Sequence, residues 1–454
     1  MKQLKTFLLM GMTVVAVRAQ AEDLAAGQAN ALPYIDQDFA CITQQQAQKY
    51  TNDFSIDINS FGGLELCNSN VDAKKLFNDL QIIEQGQFAA VNSNILVKGY
   101  IPADQYYSWM KNQTRGMNRG NDIPYATAYN RMGYFTMQDG WAKISTLGRV
   151  GVVLHEARHT GGYRHYPCKQ GPYMGSSLDG CDQDFTQGGS HAIEMEYYAR
   201  VTVAGQNFHP VYKAMARLMA MGRASFVFNT SPIQKREAVL ALEEQAGPVM
   251  FDGTRKVQRE GTDSVGQLKR TSFGAVIFNG LQAVALDVYE MTGFRSKTND
   301  DYSYFKLLGM NQMGSLRDFE EYDVNQKRYV TAVTASNQLA TYNFPKGSWN
   351  SPATLPLTVE RTASTLPTGE KGYFLMNNVG DIYSVNADNQ QVTSTGKKWD
   401  AQVQSAALFG GKILLLKNDG AIYQKNADGT EALFDNGKYT QMVNVPLYDA
   451  FEVK

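Results

Sequence analysis

The stretch Val150–His165, VGVVLHEARHTGGYRH, limits what this chain can become more than any other. Three of the five histidines in 454 residues fall within its last eleven positions, at 155, 159 and 165. Val150, Val153, Leu154 and Ala157 recur at i, i+3, i+4 and i+7, which predicts a helix with one apolar stripe against a core. At about 100° per residue, His155 and His159 share roughly the opposite face. Two imidazoles four residues apart on one face can reach a single zinc ion. Gly161 and Gly162 supply a stop, since glycine tolerates the left-handed conformation that closes helices. The chain turns there, and His165 can return as a third nitrogen ligand. Three protein ligands leave a fourth position for water, as in a catalytic zinc site and unlike a closed structural one.

The full string His155-Glu156-Ala157-Arg158-His159 with Gly162 and His165 reads HExxHxxGxxH and resembles the signature of the metzincin zinc peptidases. The resemblance covers 11 of the 454 residues. It implies a Zn2+ cofactor held by His155, His159 and His165, with Glu156 as general base. It also implies a Met-containing turn beneath the metal, for which Tyr173-Met174-Gly175 is a candidate. Met195-Glu196-Tyr197 carries a similar Met-x-Tyr, but a helix from Ser190 is expected there, which departs from the family. In gluzincin-type peptidases the third ligand is a glutamate from a later helix. His191 and Glu194 share one face of the expected helix, so Glu194 competes with His165 for that role. His165 is preferred, because the Gly162 turn returns it by local geometry and Pro167, which restricts the residue before it, stiffens its position. Tyr197, Arg158 and Tyr166 are candidates for stabilising an oxyanion.

Met1–Ala21 reads as a secretory signal peptide, with Lys2 and Lys5 ahead of an apolar run, Phe7–Val17, and a small-x-small site at Ala19-Gln20-Ala21. That run is too short to span a membrane stably. Cleavage of the segment takes the formal charge from −1 to −4 with the loss of Lys2, Lys5 and Arg18. A mildly acidic protein has no electrostatic reason to seek nucleic acid or anionic lipid. In an exported chain the four cysteines suggest two disulfides. Cys168 and Cys181 flank one loop and are expected to pair, leaving Cys41 with Cys67; no CxxC supports a thiolate metal site.

Length suggests two or three domains. Residues 22–231 read as an α+β, zinc-peptidase-like domain. Phe54, Ile56 and Ile58 alternate as in a strand, and Asp72–Ile83 has helical spacing. Tyr134–Met137 and Trp141–Ser145 flank a turn and read as a hairpin whose edge could pair with an extended substrate. Asp179, Asp182 and Asp184 lack EF-hand spacing and are expected to be solvated loop acids. His209 should open another helix, as a cap or surface residue. Residues 232–454 read as an all-β repeat domain. Leu375–Asp388 and Leu415–Asp428 match at an offset of 40, with weaker relatives at Val333–Ala340 and Val276–Gly280. That period fits a β-propeller of about five blades, a β-sandwich or smaller β-solenoid being the alternatives.

The expected protein is thus a secreted or periplasmic zinc metalloendopeptidase-like hydrolase acting on a protein or peptide, without nucleic-acid partners or a membrane span. Amide hydrolysis on a cell-wall peptide is a second enzymatic reading. The rival is an exported adhesion or scaffold protein, with a structural zinc site and a binding β-domain.

Overall fold

A computed structural model describes residues 31–451 other than 92, 124–125, 178, 245–246, 254–255, 259–265, 279–282, 290–291 and 294–312. The expected signal segment lies outside the described residues, as do Asn279 and Gly280 of one weaker repeat. The first half contains helices α1 (Gln44–Phe54), α2 (Asp72–Gln85), α3 (Tyr106–Gln113), α4 (Thr146–His159), α5 (Ser190–Ala204) and α6 (Pro210–Phe226). Helix α4 starts where Ser145 Oγ accepts from the Gly148 amide. Its stripe Val150, Val153, Leu154 and Ala157 is fully buried, as the periodicity predicts. Arg149, also buried, pairs with Asp36 at 2.6 Å and Asp79 at 2.9 Å and so ties α4 to α2 and to the segment before α1.

Helix α5 is buried along nearly all its length, Ser190–Val201, so it is the middle of a stack and not a surface helix. It crosses α4 closely at Gly151, where a Cβ would lie 1.8 Å from the Tyr198 hydroxyl oxygen. Only glycine leaves room for this approach.

Two expected elements differ. Tyr134–Met137 is a strand, β3, but its neighbours are β1 (Gly116–Arg119, parallel) and β2 (Ala128–Arg131, antiparallel). Trp141–Lys143 is a 3-10 turn, because the fully buried Trp141 turns into the core against Phe61 and the Arg149 guanidinium. Phe54 closes α1 and only Ile56 bridges another segment, at Met117. Ala47, Tyr50 and Phe54 form the buried side of that helix behind a Thr43/Gln46 capping box, and helical spacing overrides the short alternation. Two short strands flank the loop after His165, β4 (Tyr166–Pro167) and β5 (Asp179–Asp184), with β6 (Phe228–Thr230) parallel to β5.

Among the described residues, the second half is a closed ring of five antiparallel sheets. Blade 1 has Lys235–Glu243, Gly247–Phe251 and Lys256–Gln258; its innermost strand is the C-terminal Tyr439–Tyr448. Blades 2 to 5 begin with inner strands Gln267–Thr271, Leu316–Val324, Arg361–Thr365 and Val403–Phe409. Blade 1 alternates: Ala238, Leu240 and Leu242 pack on blade 2, while Val239 and Ala241 pack on blade 5. Period-2 burial on both faces is what a sheet wedged between two others requires. The 40-residue repeat falls on blades 4 and 5, where Gly380 and Gly420 make the same turn at φ +82° and +84°. This is β-propeller architecture.

The halves share one core: Phe278, Phe319, Val330 and Tyr448 of the ring cluster with side chains of the helices. Arg328 Nη1 donates to Ser225 Oγ at 2.9 Å across the junction. Gly151→Ala is expected to cost about 1–3 kcal/mol by overpacking, read as a lowered Tm; an unchanged melt would show that α4 and α5 can separate freely.

Candidate metal centre

Four of the five histidines meet in one place. Helix α4 carries His155 and His159 on one face; the turn at Gly162, φ +84°, brings His165 back over them. His155 Nε2 lies 3.0 Å from His165 Nε2 and 3.2 Å from His159 Nε2. Nitrogens about 2.0–2.1 Å from a tetrahedral zinc lie about 3.3 Å apart, close to this spacing.

Each of these rings is oriented from behind through Nδ1. His155 Nδ1 lies 3.5 Å from Glu194 Oε2, and His165 Nδ1 is 3.2 Å from Asp182 Oδ1. His159 Nδ1 faces the Tyr163 carbonyl and, at 3.1 Å, Ser190 Oγ. With the Nδ1 proton donated to these acceptors, all three Nε2 lone pairs point at one spot. Burial pushes the His155 imidazole well below its usual range and that of His159 to about 4; it lowers His165 too, with Asp182 opposing. The three rings are therefore neutral at neutral pH, the form that ligates a metal, and with each Nδ1 carrying its proton their Nε2 lone pairs converge as on a cation. The donor set fits zinc.

Glu194 and His191 stand behind this set. Glu194 Oε2 lies 3.4 Å from His191 Nδ1, while Oε1 accepts from Tyr198 at 2.9 Å and from Arg223 Nη2 at 2.7 Å. Burial opposes its ionisation, but Arg223 and the two histidines hold it well below the usual carboxylate range. The His191 ring stacks 4.6 Å from that of His165, with Nε2 3.1 Å from the Gly180 carbonyl. His155, His191 and Glu194 form a second compact group of potential ligand atoms. Glu194 already has four partners, however, which suits an orienting carboxylate.

Glu156, between the two helical histidines, is 5% exposed, and its Oε2 has no hydrogen-bond partner among the described residues. Burial, then Glu194, pushes its carboxyl up to about 8. Asn130 of β2 donates to its main-chain carbonyl and, at 2.9 Å, to Thr160 Oγ1, so β2 is joined to the C-terminal end of α4.

Other expected residues lie elsewhere. Tyr197 is buried in the core against Phe88 and Tyr106. Arg158 is bound to the Gly188 carbonyl at 2.6 Å and stacked 3.8 Å from the Tyr163 ring. Tyr166 is exposed in β4. Met174 lines a cleft against the propeller, Met195 is buried within α5, and His209 caps α6 by accepting from the Val211 amide. Asp182 is not a solvated loop acid: it is 4% exposed and also accepts from the Ala192 amide. The Cys168–Cys181 disulfide, formed together with Cys41–Cys67, pins the residue beside it; that adjacency was the available signal. Gly189 takes the N-cap position of α5, and Ser190 faces His159.

No protein-family model matches the chain, and no curated protein sequence does. Solved structures with partial likeness include BBS1N in complex with ARL6DN (11% identity, 44% of this chain and 64% of that one, TM-score 0.24). Apo AztD from Citrobacter koseri (13%, 48% and 62%, 0.21) and BamB from Moraxella catarrhalis (14%, 44% and 62%, 0.20) are others. The chain spans less than two thirds of each. At these scores the likeness carries no argument, and the architecture rests on the strand order above.

His155→Ala or His165→Ala is expected to empty the centre, whereas Glu194→Gln should weaken zinc by about 10–100-fold, as loss of an orienting carboxylate does. Competition with a chromophoric chelator measures all three. A site emptied by Glu194→Gln but still loaded in His165→Ala would make Glu194 the ligand.

Proposed function

We propose that the protein is a zinc-dependent hydrolase of peptide bonds, with His155, His159 and His165 holding the metal. The observation that carries this reading is Glu156, a buried carboxyl with an unpartnered oxygen, next in sequence to His155 and three residues before His159 on the same helix. A closed structural site has no use for such a group. When bound, zinc supplies Lewis acidity toward a carbonyl oxygen and acidifies water. Glu156 takes the proton of the attacking water and returns it to the leaving amine. Its upward shift suits the return of the proton, and a cation held by the three histidines would lower it toward the carboxylate that accepts one. Strand β2, paired on one side only, with β3, among the described residues, offers backbone groups along its other edge to an extended chain. Helix α4 borders that edge through Asn130.

The two disulfides fit export to an oxidising space, secreted or periplasmic. No helix among the described residues is long and apolar enough to cross a membrane.

Glu156→Gln is expected to retain zinc and fold yet lose hydrolysis of a peptide library by about 10²–10⁴-fold. Undiminished turnover in that variant would remove Glu156 from the mechanism. A chelator should abolish turnover while circular dichroism stays native, because the core around α4 and α5 does not depend on the ion. Unfolding on chelation would instead favour a structural zinc in a scaffold or adhesion protein.

A further inference from the structure

A cavity of about 670 Å³ lies between the loop after His165 and blades 3 and 4, a size suited to a small ligand or a few units of a polymer. One wall is formed by residues 172–177 of the loop. The opposite wall comes from residues 341–346, with Lys327, Tyr329, Asn350 and Asp388. The walls are fixed to each other. The Gly171 amide donates to the Gln326 carbonyl at 2.7 Å, and the Gly171 carbonyl accepts from the Arg328 amide at 3.3 Å. The Cys168–Cys181 disulfide closes the loop behind them.

Tyr342, half-buried, packs edge-on to Phe344 at 5.0 Å and Trp349 at 5.4 Å, giving the cavity an aromatic side. Among the described residues, the Tyr342 hydroxyl and the Asn350 side-chain amide have no hydrogen-bond partner. Lys346, exposed at the rim, likewise makes no ion pair there. The other charges are satisfied. Lys327 and the Tyr329 hydroxyl hold Asp388 at 2.6 and 3.1 Å, and Arg328 is turned to Asp323 at 2.9 Å. Among the described residues, Lys346 is thus left without a counter-charge at the rim of this cavity.

We propose that this cleft binds an acidic oligosaccharide of the uronate type. Its ring would lie on the aromatic side, its hydroxyls would meet Tyr342 and Asn350, and its carboxylate would meet Lys346. A flat apolar face flanked by hydroxyls is what a pyranose offers to an aromatic and an amide together. The preformed Lys327–Asp388 pair adds a donor and an acceptor side by side for neighbouring hydroxyls. An acidic peptide would satisfy Lys346 but offers no pyranose face to lie against the aromatic side. The proposal is independent of the metal reading.

Calorimetric titration of the full chain with tetragalacturonate, uncharged galactotetraose and tetraglutamate tests it. Tetragalacturonate should bind at one site, about tenfold tighter than the uncharged sugar, and Lys346→Glu should remove that tenfold while leaving the uncharged sugar unchanged. Asn350→Ala should weaken both sugars; Lys346 is exposed and Asn350 half-exposed, so these variants keep the fold. No saturation by roughly 5 mM, equal affinity for the two sugars, or tighter binding of tetraglutamate with the same dependence on Lys346 would each overturn the proposal.

Discussion

The carboxylate of Glu194 is the interaction on which the helical half depends. It is 1% exposed and touches three helices at once: Arg223 of α6, Tyr198 beside it on α5, and His155 of α4. Removing one partner of such a buried pair costs about 3–5 kcal/mol, because the remaining charge is stranded. Here the same loss would also release the His155 ring. The orientation of the His155 ring and the packing of the three helices therefore meet in one group. Gly151 makes this arrangement possible by letting α5 come close enough for Tyr198 to reach it.

The loop from His165 to Asp182 links this hub to the propeller. Its first residue is the third convergent histidine and its last is the carboxylate behind that histidine. Between them, Gly171 is stitched by backbone hydrogen bonds to blade 3. The disulfide near the loop's ends keeps the segment short of alternatives. The propeller thus braces the rim of the histidine cluster while contributing none of its donors.

Local patterns are legible in the sequence wherever one element decides the outcome. The stripe of α4, the Gly162 turn, α2, the pairing of the cysteines and the 40-residue blade period all follow from spacing alone. The hidden features depend on segments far apart in the chain. Asp182 reads as solvated because nothing nearby announces that α5 and the disulfide will bury it. Arg223, 29 residues after Glu194, gives no sign that it will neutralise that carboxylate. Trp141 reads as part of a strand because its burial against Phe61 is a tertiary fact. Tyr197 draws attention for its hydroxyl, but aromatic packing with Phe88 and Tyr106 claims the whole ring.

The innermost strand of blade 1 has a consequence for the life history of the chain. Tyr439–Tyr448 pairs with Lys235–Glu243, and Asn444 bonds the Ala238 carbonyl across 206 residues. A ribosome emits Lys235–Glu243 well before its partner, so the ring cannot shut until Tyr439–Tyr448 has emerged. Until then the first blade has an open edge and an unfilled seam on both sides. Pairings over such distances form slowly, so the β half stays open until late in folding. The strand Tyr439–Tyr448 acts as its clasp.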